Sequence, residues 1–132
     1  VTEKIFPCFE IVDSRINNWQ IKIQDTIADN ASCGVFLLGD GSNYRNDYEL
    51  HNLEVKVSKN GEHLSSGFGS AVQGHPAEAV AWLANTLGKY NIPLLKGEII
   101  LSGSLVPLEP AMAGDHFYMD LIGIGDCEVY FS

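Results

Sequence analysis

Near the start of the chain, Cys8-Phe9-Glu10-Ile11-Val12 sets a carboxylate into an otherwise apolar run. The alternation predicts a strand. Period two puts Cys8, Glu10 and Val12 on one face and Phe9 and Ile11 on the other. An ionised carboxylate among apolar neighbours is costly unless a cation or several donors compensate it. Two compensations stay open, a metal ion or an arginine such as Arg15. The stretch from Pro7 to Gly39 is therefore the one around which the rest of the chain is read.

About twenty residues on comes Asp25-Thr26-Ile27-Ala28-Asp29-Asn30-Ala31-Ser32. One or two helical turns here would put Asp25, Asp29 and Ser32 on one face, with Ile27, Ala28 and Ala31 free to pack inward. That face is either solvated or lines a pocket. Val35-Phe36-Leu37-Leu38 follows at once and predicts a buried strand. Polar groups delivered beside such a strand are well placed to line a site.

The remainder predicts a β-rich α+β domain. Leu53, Val55 and Val57 alternate inward, and Asn60-Gly61 is a strong hairpin signal with a partner strand through His63 to Ser66. Gly67 to Gly74 has the glycine density of a phosphate loop, but it follows a hairpin instead of opening a strand–helix unit. Close backbone approach is the better use of those glycines. Pro76, Glu78 and the stripe Val80, Leu83, Ala84, Leu87 predict one amphipathic helix stopped at Gly88. His75 is a cap or a ligand contact, with the cap favoured. Trp82 lies off the stripe and suits a second surface such as another subunit. Glu98 to Leu105 predicts a strand buried on both faces that ends in Ser102-Gly103-Ser104, small residues suited to a bulge or to a ligand. Asp115 reads as a turn residue before strands at His116 to Ile122 and Cys127 to Phe131.

Composition narrows the function. A length of 132 residues and 45% hydrophobic content fit one globular domain, 1–132, with a real core. No apolar run is long enough to span a membrane, and the start lacks the pattern of a secretory signal. A net charge of −9 with only eight basic residues disfavours nucleic acid and anionic membranes as partners. Cys8, Cys33 and Cys127 are far apart, and His51, His63, His75 and His116 are scattered, which disfavours a zinc site and suits reduced thiols in the cytoplasm.

EIVDSRI, then DTIADNAS, then the G-x-G-x-x-x-x-G-H-P segment from Gly67 to Pro76, resemble the 2-hydroxypentadienoate hydratase and 4-oxalocrotonate decarboxylase family. The likeness continues through WLANTLGKYNIPLLKGEIILSGSLVPLEP, Ala113 to Asp115 and the closing GIGDCEVYFS. It implies a fold like that of fumarylacetoacetate hydrolase, a β-rich mixed-sheet roll with one main helix. PCFEIVDSRI, LANTLG and LSGSLVPLEP resemble the decarboxylase branch. Family members are roughly twice as long, and these residues correspond to their C-terminal half.

What the resemblance implies is metal-dependent decarboxylation of 4-oxalocrotonate to 2-hydroxypenta-2,4-dienoate and carbon dioxide. The alternatives are the hydratase reaction on 2-hydroxypenta-2,4-dienoate and a non-catalytic, partner-binding half. The family's metal, Mg²⁺ or Mn²⁺, is held by three carboxylates. Glu10 matches the third, and the Glu-x-Glu pair that supplies the others has no counterpart here. Ser32 matches a substrate-contacting serine, Asp29 and Asn30 shape its turn, and Ser104, then Ser102, match a segment that touches substrate. A homo-oligomer and a complex with the pathway hydratase are the expected assemblies.

Overall fold

The Asn60-Gly61 turn builds the centre of the molecule. In the computed structural model, which describes residues 1–132, Asn60 and Gly61 both take left-handed backbone angles, φ 55° and 84°. Such angles match the twist of a two-residue hairpin. Strand β5 (Glu54–Lys59) and strand β6 (Glu62–Phe68) therefore pair antiparallel, with Val57 opposite Ser65 and Val55 opposite Gly67. Towards the C-terminus, β7 (His116–Leu121) pairs with β5 and β8 (Gly125–Tyr130) pairs with β7. The result is a four-stranded antiparallel sheet in the order β6-β5-β7-β8.

Alternation along these strands puts Val55, Val57, Phe117, Met119 and Leu121 on one face, and with Ile124 they form the buried core. Each such side chain contributes on the order of 1.5–3 kcal/mol when fully buried. Ile5, Phe9, Leu53, Leu105, Val106 and Phe131 pack around its rim, and Phe9 meets the Phe117 ring edge-on at 6.4 Å.

A second, two-stranded ribbon carries Glu10. Strand β2 (Cys8–Val12) pairs antiparallel with β3 (Cys33–Leu38), Glu10 opposite Phe36 and Val12 opposite Cys33. Two short strands, β1 (Lys4–Ile5) and β4 (Ser42–Asn43), pair beside it. Gly39 joins ribbon to sheet, since a β-carbon there would lie 1.8 Å from the Asp126 carbonyl oxygen. Helix α1 (Ile23–Ala28) lies between β2 and β3, and helix α2 (Pro76–Gly88) follows β6.

The α+β, β-rich architecture with one main helix is the one the sequence predicts. Helix α2 spans Pro76 to Gly88, its stripe half-buried, and His75 caps it by accepting the Ala77 N–H at Nδ1 over 3.1 Å. Three expectations need correction. Strand β3 forms, but Val35 is 64% exposed and Phe36 and Leu37 are exposed too, because nothing in this chain covers the ribbon. Glu98 to Leu105 is not a strand. Glycines at 97 and 103 take left-handed angles at either end of it, and Ile99, expected to be buried, is 52% exposed. Ile27, Ala28 and Ala31 do not pack inward; all three are exposed.

Candidate functional site

The end of β2 and the turn before β3 are tied together by side chains. After Ala28 the chain leaves the helix, and Asn30, Ala31 and Ser32 take φ of 52°, 57° and 53° in succession. For L-residues this costs about 1–2 kcal/mol each. Asn tolerates such angles and Ala does not, so the turn is strained. The Asp29 N–H still bonds the Asp25 carbonyl at 2.8 Å, so these two stay one helical turn apart, while the left-handed run from Asn30 takes Ser32 out of the helix and off the expected face. The Asp25 carboxylate caps α1 by accepting the Lys22 N–H at 2.9 Å.

Asp29 and Ser32 do come together. The Ser32 hydroxyl donates to Asp29 Oδ2 at 3.0 Å, and Ser32 is only 1% exposed. Asp29 also receives Arg15 Nε at 2.5 Å on Oδ1, and the Arg15 backbone N–H at 3.2 Å on Oδ2. Burial of Asp29 opposes its ionisation. The hydrogen bonds from Arg15 and Ser32 outweigh that and hold its carboxyl below the usual range. Asn30 is exposed beside this knot.

Arg15 is thus committed to Asp29, so of the two compensations open for Glu10 the arginine is not used. No hydrogen bond or ion pair engages the Glu10 carboxylate, which is exposed on the ribbon. Its neighbour Cys8 is a protonated thiol at neutral pH. Burial, then Cys127 and Glu10, push it up to about 11.

Between the ribbon, the sheet and α2 runs an open trough of about 2340 Å³. That is well beyond the roughly 300–1,000 Å³ of an ordinary small-molecule pocket. Glu10, Asp13, Ser65, Ser102 and Ser104 all line it, whereas Ser32, Asp29 and Asn30 do not. The segment bearing the two serines crosses β6, where a β-carbon on Gly67 would lie 2.0 Å from the Leu105 oxygen. This is the close approach expected of the Gly67 to Gly74 glycines. Ser104 is exposed and donates to the Val106 carbonyl at 2.6 Å, so its proton is committed and its oxygen remains free to accept. Ser102 is half-buried and makes no such bond.

Two residues escaped the sequence reading as parts of the site. The sequence marks Arg15 only as a partner for Glu10, and pairing with Asp29, fourteen positions away, has no periodic signature. Ser65 presents a buried hydroxyl with no partner to the trough. Its place in the strand through His63 to Ser66 was legible; its register opposite Val57 and its lack of a partner were not. Asp115 is the turn residue expected. It accepts from Met112 N and Asn60 Nδ2 and pairs with Lys59 at 2.8 Å.

A divalent cation suits Glu10 in chemical kind, since a free carboxylate oxygen is a hard donor. It is one donor only. No three carboxylate, imidazole or thiol groups converge in this chain.

Residues 7–131 match the family described as fumarylacetoacetate (FAA) hydrolase C-terminal. The chain is 61% identical over 131 residues to a 2-hydroxyhexa-2,4-dienoate hydratase of Comamonas testosteroni, covering 99% of the chain and 50% of that protein. It is 40% identical over 131 residues to 2-keto-4-pentenoate hydratase 1 of Dechloromonas aromatica, covering 99% of the chain and again 50% of the relative. Among solved structures it superposes with a TM-score of 0.90 on 4-oxalocrotonate decarboxylase from Pseudomonas putida G7, complexed with magnesium and adipate. That likeness is at 33% identity and covers 98% of this chain and 49% of the other. The chain spans about half the length of the relatives it matches.

Proposed function

The chain belongs to the fumarylacetoacetate hydrolase family, and on that premise we propose that it forms part of a divalent-metal-dependent lyase for short 2-hydroxydienoate or 2-oxoenedioate acids. The observation that carries this reading is Glu10, a carboxylate left free of every cation in the chain while facing an open trough. Glu10 is the ligand this chain contributes, with Mg²⁺ or Mn²⁺ as the ion, and further ligands come from outside the groups that converge here. A divalent ion there would supply Lewis-acid stabilisation of charge on the substrate's C2 oxygen.

The chain's own residues then bind and orient. Ser102 has a free hydroxyl proton to donate to a substrate carboxylate, and Ser104, its proton spent on Val106, accepts. Ser32, its proton held by Asp29, has lone pairs suited to an enol O–H, and its contact with substrate requires the Asn30 to Ser32 turn to move, since its side chain is buried away from the trough. Asn30 shapes that turn. Trp82, exposed on the outer side of α2, is assigned to contact with a second subunit. A cytoplasmic setting agrees with three unpaired cysteines, and no helix is long and apolar enough to cross a membrane.

Two reactions share this apparatus. Hydration of a 2-hydroxydienoate to a 4-hydroxy-2-oxo acid is favoured by the 61% identity to a hydratase. Decarboxylation of 4-oxalocrotonate is favoured by the structural likeness to the decarboxylase. Incubating the protein with each substrate and Mg²⁺ and analysing products separates them. A 4-hydroxy-2-oxo acid from the dienoate supports the first and carbon dioxide from the enedioate the second; neither product, with metal present, sinks both.

A further inference from the structure

We propose that Arg15 is a positioning residue, a staple that holds the strained turn bearing Ser32 against the end of β2. The inference rests on the reading of Ser32 as a substrate contact and assigns it a support that acts through Asp29.

The geometry is that of a guanidinium used on every side. Arg15 Nε donates to Asp29 Oδ1 at 2.5 Å, one terminal nitrogen donates to the Asp13 carbonyl at 3.0 Å and the Cys33 carbonyl at 2.9 Å, and the other donates to the Asp29 carbonyl. Asp13 and Cys33 belong to the two chain segments that meet where the ribbon begins, since Asp13 N donates to the Ser32 oxygen at 2.9 Å and Val12 pairs with Cys33. The ladder shifts register between Ile11 and Val12. The ribbon is therefore weakest in its own bonds at the end where Arg15 crosses it.

Three consecutive left-handed residues, none of them glycine, persist only if surrounding contacts over-determine them. Arg15 supplies those contacts, and Ser14 adds a bond to Asp29 Oδ2 at 3.4 Å. Asp29 then accepts the hydrogen bond from the Ser32 hydroxyl and fixes which way that hydroxyl turns. Glu10 lies elsewhere in the ladder, opposite Phe36 and beyond the register shift, where the regular strand pairing holds it. The staple thus governs Ser32 and leaves Glu10 alone.

Lysine cannot replace the arginine, because one ammonium cannot present a planar fork to four acceptors in fixed directions. Arg15→Lys and Asp29→Asn are the test variants, with Asp47→Asn, which breaks the exposed Arg45–Asp47 pair, as control. The measurements are KM for the 2-hydroxydienoate, Mn²⁺ affinity by electron paramagnetic resonance, and amide hydrogen exchange at residues 30–33. Both test variants should raise KM about tenfold, the lower end of what outer-shell partners contribute. They should also speed exchange at 30–33 and leave Mn²⁺ affinity within about twofold of the parent. The control should change none of these. An unchanged KM in both variants overturns the proposal, and so does a KM that moves in step with Mn²⁺ affinity, which is general loosening. If the parent protein neither binds Mn²⁺ nor turns over, the proposed function fails. Exchange at 30–33 then decides the staple alone, and unaltered exchange in Arg15→Lys overturns it.

Discussion

Replacing Gly67 with alanine tests whether the trough is built as described. The added β-carbon would lie 2.0 Å from the Leu105 carbonyl oxygen and 2.9 Å from its carbon, both backbone atoms that no side-chain rotation can clear. Either β6 or the Ser102 to Val106 segment must move. Forced overpacking of this kind costs about 1–3 kcal/mol. For a chain of 132 residues, an unfolding entropy near 2.1 cal/mol/K per residue makes each kcal/mol worth about 3–4 °C in Tm. The expected loss is therefore about 4–11 °C by scanning calorimetry. Because the displaced segment carries Ser102 and Ser104, KM should rise in the protein that remains folded. Gly88→Ala is the matched control, at the end of α2 with nothing near its β-carbon. It should be neutral or gain up to about 1 kcal/mol. Gly67→Ala with an unchanged Tm and KM would refute the close approach and the placing of the serines.

Ser65→Ala removes a buried hydroxyl that has no partner. The Tm should rise, since an unsatisfied buried polar group costs about 1–3 kcal/mol, and a fall would show that the hydroxyl is bonded in solution. Asp115 gives a pH dependence. Hydrogen bonds from Lys59, Asn60 and Met112 lower its carboxyl from 3.8 to about 2. A depressed carboxylate stabilises the fold above its unfolded value, so this contribution is complete above about pH 5. It fades as pH falls from there towards 2, and Asp115→Asn should flatten acid unfolding in that window. A parent and variant with superimposable acid curves would contradict this.

Local chemistry made the hairpin and α2 readable in advance. Asn60-Gly61 needs no distant partner to turn, and Pro76 with an apolar stripe and Gly88 defines its helix from within. What failed depended on context. Val35 to Leu38 has the composition of a buried strand, yet burial requires a covering layer, and the ribbon has none in this chain. Ile99, Ile100 and Leu101 have strand propensity but no ladder partner, and Gly97 and Gly103 bend the chain on either side. In the candidate site, Glu10 was legible because a carboxylate breaks an apolar pattern. Asp29 with Ser32 was legible as a spacing, although a left-handed turn and not a helix brings them together. The Arg15 staple was not, because it exists only once β2 and β3 are paired.

The most direct measurement compares Mn²⁺ binding and metal-dependent turnover in the protein and in Glu10→Gln, which keeps the side chain's size and removes its charge. Glu10 makes no hydrogen bond or ion pair within the chain, so folding should be unaffected. Loss of turnover with Mn²⁺ binding at least about 100-fold weaker, more than an outer-shell group accounts for, is the expected result. Turnover and Mn²⁺ affinity equal to those of the parent would show that Glu10 is not a metal ligand and would overturn the account.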